Sequence, residues 1–240
     1  MQKNIVFEDE HIIVAYKPAG IATQTARLGQ QDMVSELKNY LARKPENKGK
    51  GEPYLGLVHR LDQPVCGILV FARTPKAAAA LSRQIADKSM QKYYYAVIFG
   101  RPKQNAGSLE DYLYKDGKTN LSLIVRESFP EAKRAQLSYK KIKTLMVLEK
   151  QQEVSLMEIE LITGRHHQIR AQMAHAGMPL LGDGKYGNEK SKELSREIGC
   201  KDTALCAYKL TFTHPVTGKK MLFERQPEGE IFLPFFTTGI

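Results

Sequence analysis

Leu57-Val58-His59-Arg60-Leu61-Asp62-Gln63-Pro64-Val65-Cys66-Gly67, running into Ile68-Leu69-Val70-Phe71-Ala72, is the stretch the rest of the chain serves. His59, Arg60 and Asp62 stand between apolar residues and precede a Pro and Gly turn and a five-residue apolar strand. That order places a carboxylate at the rim of a buried element, where catalytic groups sit. A surface turn in which Asp62 pairs with Arg60 fits the same residues, since most charge clusters are structural or solvated.

A chain of 240 residues is long enough for one well-filled core, and a single domain over residues 1–240 is expected. Hydrophobic residues at 42% with 26% charged exclude a disordered or fibrous chain. The 36 Lys and Arg against 26 Asp and Glu leave +10, which favours an anionic partner, most simply a phosphate backbone, over a merely basic surface. No amphipathic helix with a basic face stands out, so a membrane surface is not expected as a partner. Charge alone does not choose RNA over DNA.

The N-terminal residues hold no apolar core of signal-peptide length, and no apolar run approaches the roughly 20 residues of a membrane helix, so a cytoplasmic protein is expected. Cys66, Cys200 and Cys206 form no C-x-x-C pair, which indicates neither a disulfide framework nor a zinc site.

Ile12 to Tyr16 reads as a short buried strand ending in the turn Lys17-Pro18-Ala19-Gly20, which presents Lys17 at a strand end, or as a plain solvated turn lysine. Asp32 is placed to cap a helix to about Lys44, with Val34, Leu37, Tyr40 and Leu41 on one face. The polar segment from Lys44 to Pro53 is expected to be a mobile basic loop able to meet phosphates without reading sequence. Thr74-Pro75 opens a helix from Lys76 to about Gln91, whose Ala79, Leu81, Ile85 and Met90 face the core. Gln91 to Gly100 is a strand by its aromatic and β-branched content, with Tyr94 on the face opposite Tyr93 and Tyr95.

From about Gly107 to Leu161, extended alternation over Leu121–Val125, Ala135–Leu148 and Val154–Leu161 predicts successive strands, hence an α+β fold with a mixed, mostly antiparallel sheet. Leu161 to Arg170 crosses from strand to helix, with Gly177 as the stop. His166, His167 and His175 lack a carboxylate at a metal-site spacing, so no metal is expected. Gly182-Asp183-Gly184-Lys185-Tyr186-Gly187 is glycine-rich but fits no P-loop register.

These segments, in order, resemble the RluA-type pseudouridine synthases. His59-Arg60-Leu61-Asp62 with Gly67 looks like the family's catalytic motif, and Lys17-Pro18-x-Gly20 like the turn before it. Lys92-x-Tyr94-x-Ala96, Gly164-Arg165-x-His167-Gln168-Ile169-Arg170 and Gly182-Asp183-x-x-Tyr186-Gly187 match further motifs, and Ala204–Leu210 with Phe212–Pro215 resembles the closing strands. The similarity covers nearly the whole chain.

The resemblance implies the pseudouridine synthase fold, with the sheet flanked by helices and loops and an active-site cleft across it. It also implies an enzyme, an isomerase that converts uridine to pseudouridine in ribosomal or transfer RNA without cofactor or metal, acting as a monomer. It places the catalytic carboxylate on Asp62, a partner guanidinium that keeps it ionised on Arg165, and a ring against the uracil on Tyr94. Arg60, supported by His59, would fill the space left by an extruded uridine or hold the flipped nucleotide's phosphate, and Lys17, Lys92 and Arg170 would contact phosphates. Val65-Cys66 stand where the family usually has Thr-Ser, a Thr is usual at His166, and a His is usual at Cys206. No S4 domain is expected ahead of the first strand. A non-catalytic RNA-binding or RNA-folding protein on the same fold is the alternative, and a DNA-binding factor fits the charge but has no helix-turn-helix or zinc pattern.

Overall fold

Asp32 and Thr74 both do what their positions dictate: each side chain accepts a hydrogen bond from a backbone N–H three residues on, Ser35 at 2.8 Å and Ala77 at 3.2 Å, and a helix follows. The computed structural model describes residues 2–25, 29–49 and 51–237; Lys50, in the basic loop expected from the sequence, lies outside the described residues. In chain order the elements begin with β1 (Ile5–Glu8), β2 (Ile12–Lys17), α1 (Met33–Ala42), β3 (Gly56–Leu57), β4 (Cys66–Ala72), α2 (Pro75–Ala86) and β5 (Gln91–Phe99). They continue with β6 (Ala106–Asp116), β7 (Leu121–Val125), β8 (Lys133–Val147), β9 (Gln152–Leu161), α3 (Gln168–His175), α4 (Glu189–Glu197), β10 (Leu205–Thr213), β11 (Lys220–Glu224) and α5 (Leu233–Phe236). The α+β class expected from strand-rich alternation is the one found.

The residues gather into two compact units, Met1–Gln91 with Ala207–Arg225, and Lys92–Cys206 with Gln226–Ile240. In the first, the strand order is β1-β2-β4-β10, with β11 on β10 and β3 on β4. Every residue of β2 and β4 is buried, which is why these two strands read as continuous apolar runs rather than as an alternation. Their antiparallel register runs from Ile12↔Ala72 to Lys17↔Gly67, so the Lys17 turn lies beside the start of β4. Gly67 must be glycine: its φ is +132°, and a Cβ there would stand 2.4 Å from the Ala207 carbonyl oxygen.

Helix α2 is shorter than its composition predicts. Lys88 takes φ +63° and the Asp87 carboxylate accepts from the Ser89 backbone N–H at 2.9 Å, so the chain turns out of the helix and Gln91 opens β5 instead. Leu81 and Met90 are buried as expected and Ile85 is half-buried, but Ala77 rather than Ala79 is the buried alanine of the helix.

The second unit carries the order β5-β9-β8-β6-β7, antiparallel wherever the register is given. Helix α4 has no counterpart in the expectations: Leu194 is its only large buried side chain, too little apolar periodicity to signal a helix, although Asn188 caps it by accepting from Ser191 N–H at 2.8 Å. No helix among the described residues is long and apolar enough to cross a membrane.

Candidate active site

Asp62 lies on the loop between β3 and β4, and that loop is pinned on several sides. Thr23 Oγ1 both donates to the Leu61 carbonyl at 2.8 Å and accepts from the Leu61 N–H at 3.1 Å. Gly20 N–H donates to the Gln63 carbonyl at 2.9 Å, Gln63 Nε2 returns a bond to the Gly20 carbonyl at 3.0 Å, and Val65 N–H closes the turn on the Asp62 carbonyl at 3.0 Å. Leu61 is the buried anchor, so its neighbours Arg60, exposed, and Asp62, half-buried, are turned outward. These bonds run through backbone atoms on either side of the carboxylate and fix where Asp62 stands. Val65 and Cys66, buried, replace the hydroxyls that the resemblance leads one to expect, and the loop is clamped without them.

Lys17 corrects an expectation. It is 0% exposed, and its ammonium donates to the carbonyl oxygens of Pro18 at 2.8 Å, Ile21 at 2.6 Å and Gln63 at 3.0 Å. A lysine spent in this way ties the β2 turn to the residue after Asp62 and has no reach to a phosphate. Replacing Lys17 with Met is expected to lower stability by about 1–3 kcal/mol, because those carbonyls lose a buried donor. Equal melting temperatures in a thermal scan would show that the ammonium does not hold the loop. His59 likewise braces: its Nε2 accepts from Val70 N–H at 3.1 Å, which requires an unprotonated nitrogen and so argues against a charged phosphate contact.

In the second unit, Tyr94 and Lys92 project from the same face of β5, Tyr94 at 5% and Lys92 at 8% exposure. The Thr163-Gly164-Arg165 turn after β9 is shaped by Gln168. Its Oε1 accepts from Thr163 Oγ1 at 2.8 Å and from Arg165 N–H at 2.9 Å, and its Nε2 donates to the Gln136 carbonyl at 3.1 Å. Arg165 itself is exposed, with Nε donating to the Arg134 carbonyl at 3.0 Å.

Arg170 is the second correction. It is 4% exposed and grips Asp183 with two parallel bonds of 2.8 Å, Nε to Oδ2 and an Nη to Oδ1, with the Tyr186 ring 5.2 Å from the guanidinium. Asp183 also accepts from the backbone of Lys185 at 3.0 Å and Tyr186 at 3.1 Å. Burial pushes the Asp183 carboxyl up, but the hydrogen bonds and charge of Arg170, with those backbone donors, hold it below the usual carboxylate range. A contact to RNA phosphates is therefore replaced by an internal ion pair. Thr23, Gln168 and Asp183 had no role assigned from sequence. Asp183 sits in a Gly-Asp turn next after a helix bearing a buried-face Arg, the signal that would have found it.

Residues 11–175 match the RNA pseudouridylate synthase family. Among curated proteins, the chain is 35% identical over 235 residues to a ribosomal large subunit pseudouridine synthase D of Zymomonas mobilis, covering 96% of this chain and 71% of that one. It is 31% identical to a ribosomal large subunit pseudouridine synthase C of Vibrio vulnificus, covering 92% of this chain and 64% of that one. Among solved structures, the human RNA pseudouridylate synthase domain containing 4 superposes with a TM-score of 0.73 at 21% identity, over 97% of this chain and 91% of that one, and so shares the fold.

Proposed function

The chain belongs to the RNA pseudouridylate synthase family, and from that membership we propose that it isomerises uridines of ribosomal or transfer RNA to pseudouridine with Asp62 as the working carboxylate. The observation that carries this is the loop around Asp62, tied down through the main chain of Leu61, Gln63 and Val65, which fixes the position of the residue that bears the carboxylate.

The reaction breaks the N-glycosidic bond, turns the uracil and joins C5 to the sugar. It needs one ionised carboxylate near C1′, either to attack that carbon or to remove a sugar proton on a glycal route, and Asp62 serves in both cases. Extruding the target uridine from its stack costs roughly a few kcal/mol. Arg60, exposed beside Asp62, takes the vacated space or holds the flipped phosphate, and Tyr94 stacks against the detached uracil. Residues 1–240 then work as one catalytic domain, a monomer in the cytoplasm acting on RNA and not on DNA or membranes.

Arg165 is the guanidinium proposed to keep Asp62 ionised during turnover. Arg165→Ala is expected to lower kcat by roughly 10²-fold at neutral pH. A profile identical to the parent's at every pH would reject that role.

Incubating the purified protein with ribosomal and transfer RNA transcripts and mapping pseudouridine tests the whole reading, as does mapping cellular RNA with and without the gene. Pseudouridine appearing at discrete positions is the expected result. Binding to the same RNA with no uridine converted would leave only a non-catalytic RNA-binding protein.

A further inference from the structure

Lys92 is a buried cation on an apolar face. Tyr94 pairs across the sheet with Ile159 and Ala96 with Met157, and these four residues, which share Lys92's side of β5 and β9, are buried. The carboxylates of β9 are on the other side: Glu160 stands opposite Tyr93 and Glu158 opposite Tyr95. Among the described residues no hydrogen-bond or ion-pair partner reaches the Lys92 ammonium, and burial alone lowers its pKa from the ordinary lysine value. Nζ lies 3.4 Å from where a Cβ on Gly164 would be, and Gly164 is exposed. The ammonium therefore ends next to an exposed residue without a side chain, while Lys92 shares the buried face of β5 with Tyr94.

Holding a desolvated ammonium against apolar neighbours with no internal anion is unfavourable, and such groups persist where a negative charge arrives with a ligand. RNA phosphates are a poor match for a group this enclosed. The detached base is a better one, because Tyr94, two residues along the same face, is the ring proposed above to stack on it.

Taking that function as given, we propose that Lys92 is the residue that receives the negative charge of the departing uracil. When the C1′–N1 bond breaks, its electron pair leaves with the base and the charge spreads over N1 and the two carbonyl oxygens. An N–H of Lys92 donates to one of those oxygens and holds the base while it turns. C5 then bonds to C1′, the proton on C5 is lost and one is gained at N1, so the base is neutral again and Lys92 ends as the ammonium it began as. This is charge stabilisation confined to the cleavage step, where a fixed donor acts most strongly.

The test compares Lys92→Met and Lys92→Arg with the parent on two transcripts, one containing uridine and one 5-fluorouridine. Fluorine stabilises the uracil anion by itself, and it removes the C5 proton, so the second substrate reports bond cleavage and C–C bond formation alone. Lys92→Met is expected to melt no lower than the parent and to lose on the order of 10²-fold in kcat on uridine, with Lys92→Arg recovering part of it. On 5-fluorouridine the loss should shrink to about 10-fold but persist. An equal loss on both substrates would mean a merely structural role. No loss on the fluorinated one would mean that Lys92 serves the C5 proton instead, and no loss on either would mean no role; each overturns the proposal. A parent that converts no uridine would sink the underlying function itself, which this comparison separates from the role of Lys92.

Discussion

Asp62→Asn is expected to abolish pseudouridine formation, by on the order of 10⁴-fold or more in kcat, while the protein stays folded. The amide has the shape of the carboxylate but neither attacks C1′ nor takes a sugar proton. The loop has anchors of its own in the main chain of residues 61–63, bound by Thr23, Lys17, Gly20 and Val65, and the amide keeps the side chain's shape. The substitution thus separates chemistry from architecture. Tritium release from 5-labelled uridine in transcripts measures the first and thermal unfolding the second. Turnover within tenfold of the parent, with an unchanged melting temperature, would remove Asp62 from the mechanism.

Arg170→Met should instead cost stability, about 3–5 kcal/mol near neutral pH, because Asp183 would be left charged and buried. The pH dependence carries the sign. In the parent the Asp183 carboxyl is held below its unfolded value of about 3.9, so its contribution is complete above that value and disappears as pH falls toward the folded one. Without the guanidinium, burial has the larger say and the carboxyl moves up, so acid should relieve the variant by protonating it. The gap in melting temperature between the two proteins is expected to narrow from pH 7 to pH 4. A gap that stays constant would show that the Arg170 charge does not set the state of Asp183.

Much of the local structure was legible. Asp32 and Thr74-Pro75 announce their helices because capping is a contact between residues three apart, and the runs over β2 and β4 announce strands because full burial admits only apolar side chains. The end of α2 was not legible, since the positive φ of Lys88 is a conformation its side chain does not advertise. Nor was α4, whose polar composition hides a helix that buries little.

By itself the sequence determined the family, the α+β class and the carboxylate to be tested, because these depend on residue type and order along the chain. Only the tertiary structure decided what the cations do. Lys17, Lys92 and Arg170 look alike as basic residues beside motifs, yet one is consumed by the carbonyls of Pro18, Ile21 and Gln63, one by Asp183, and one lies buried on an apolar face. Whether a positive charge meets RNA or the protein's own interior depends on which distant residues fold against it, and no spacing along the chain records that.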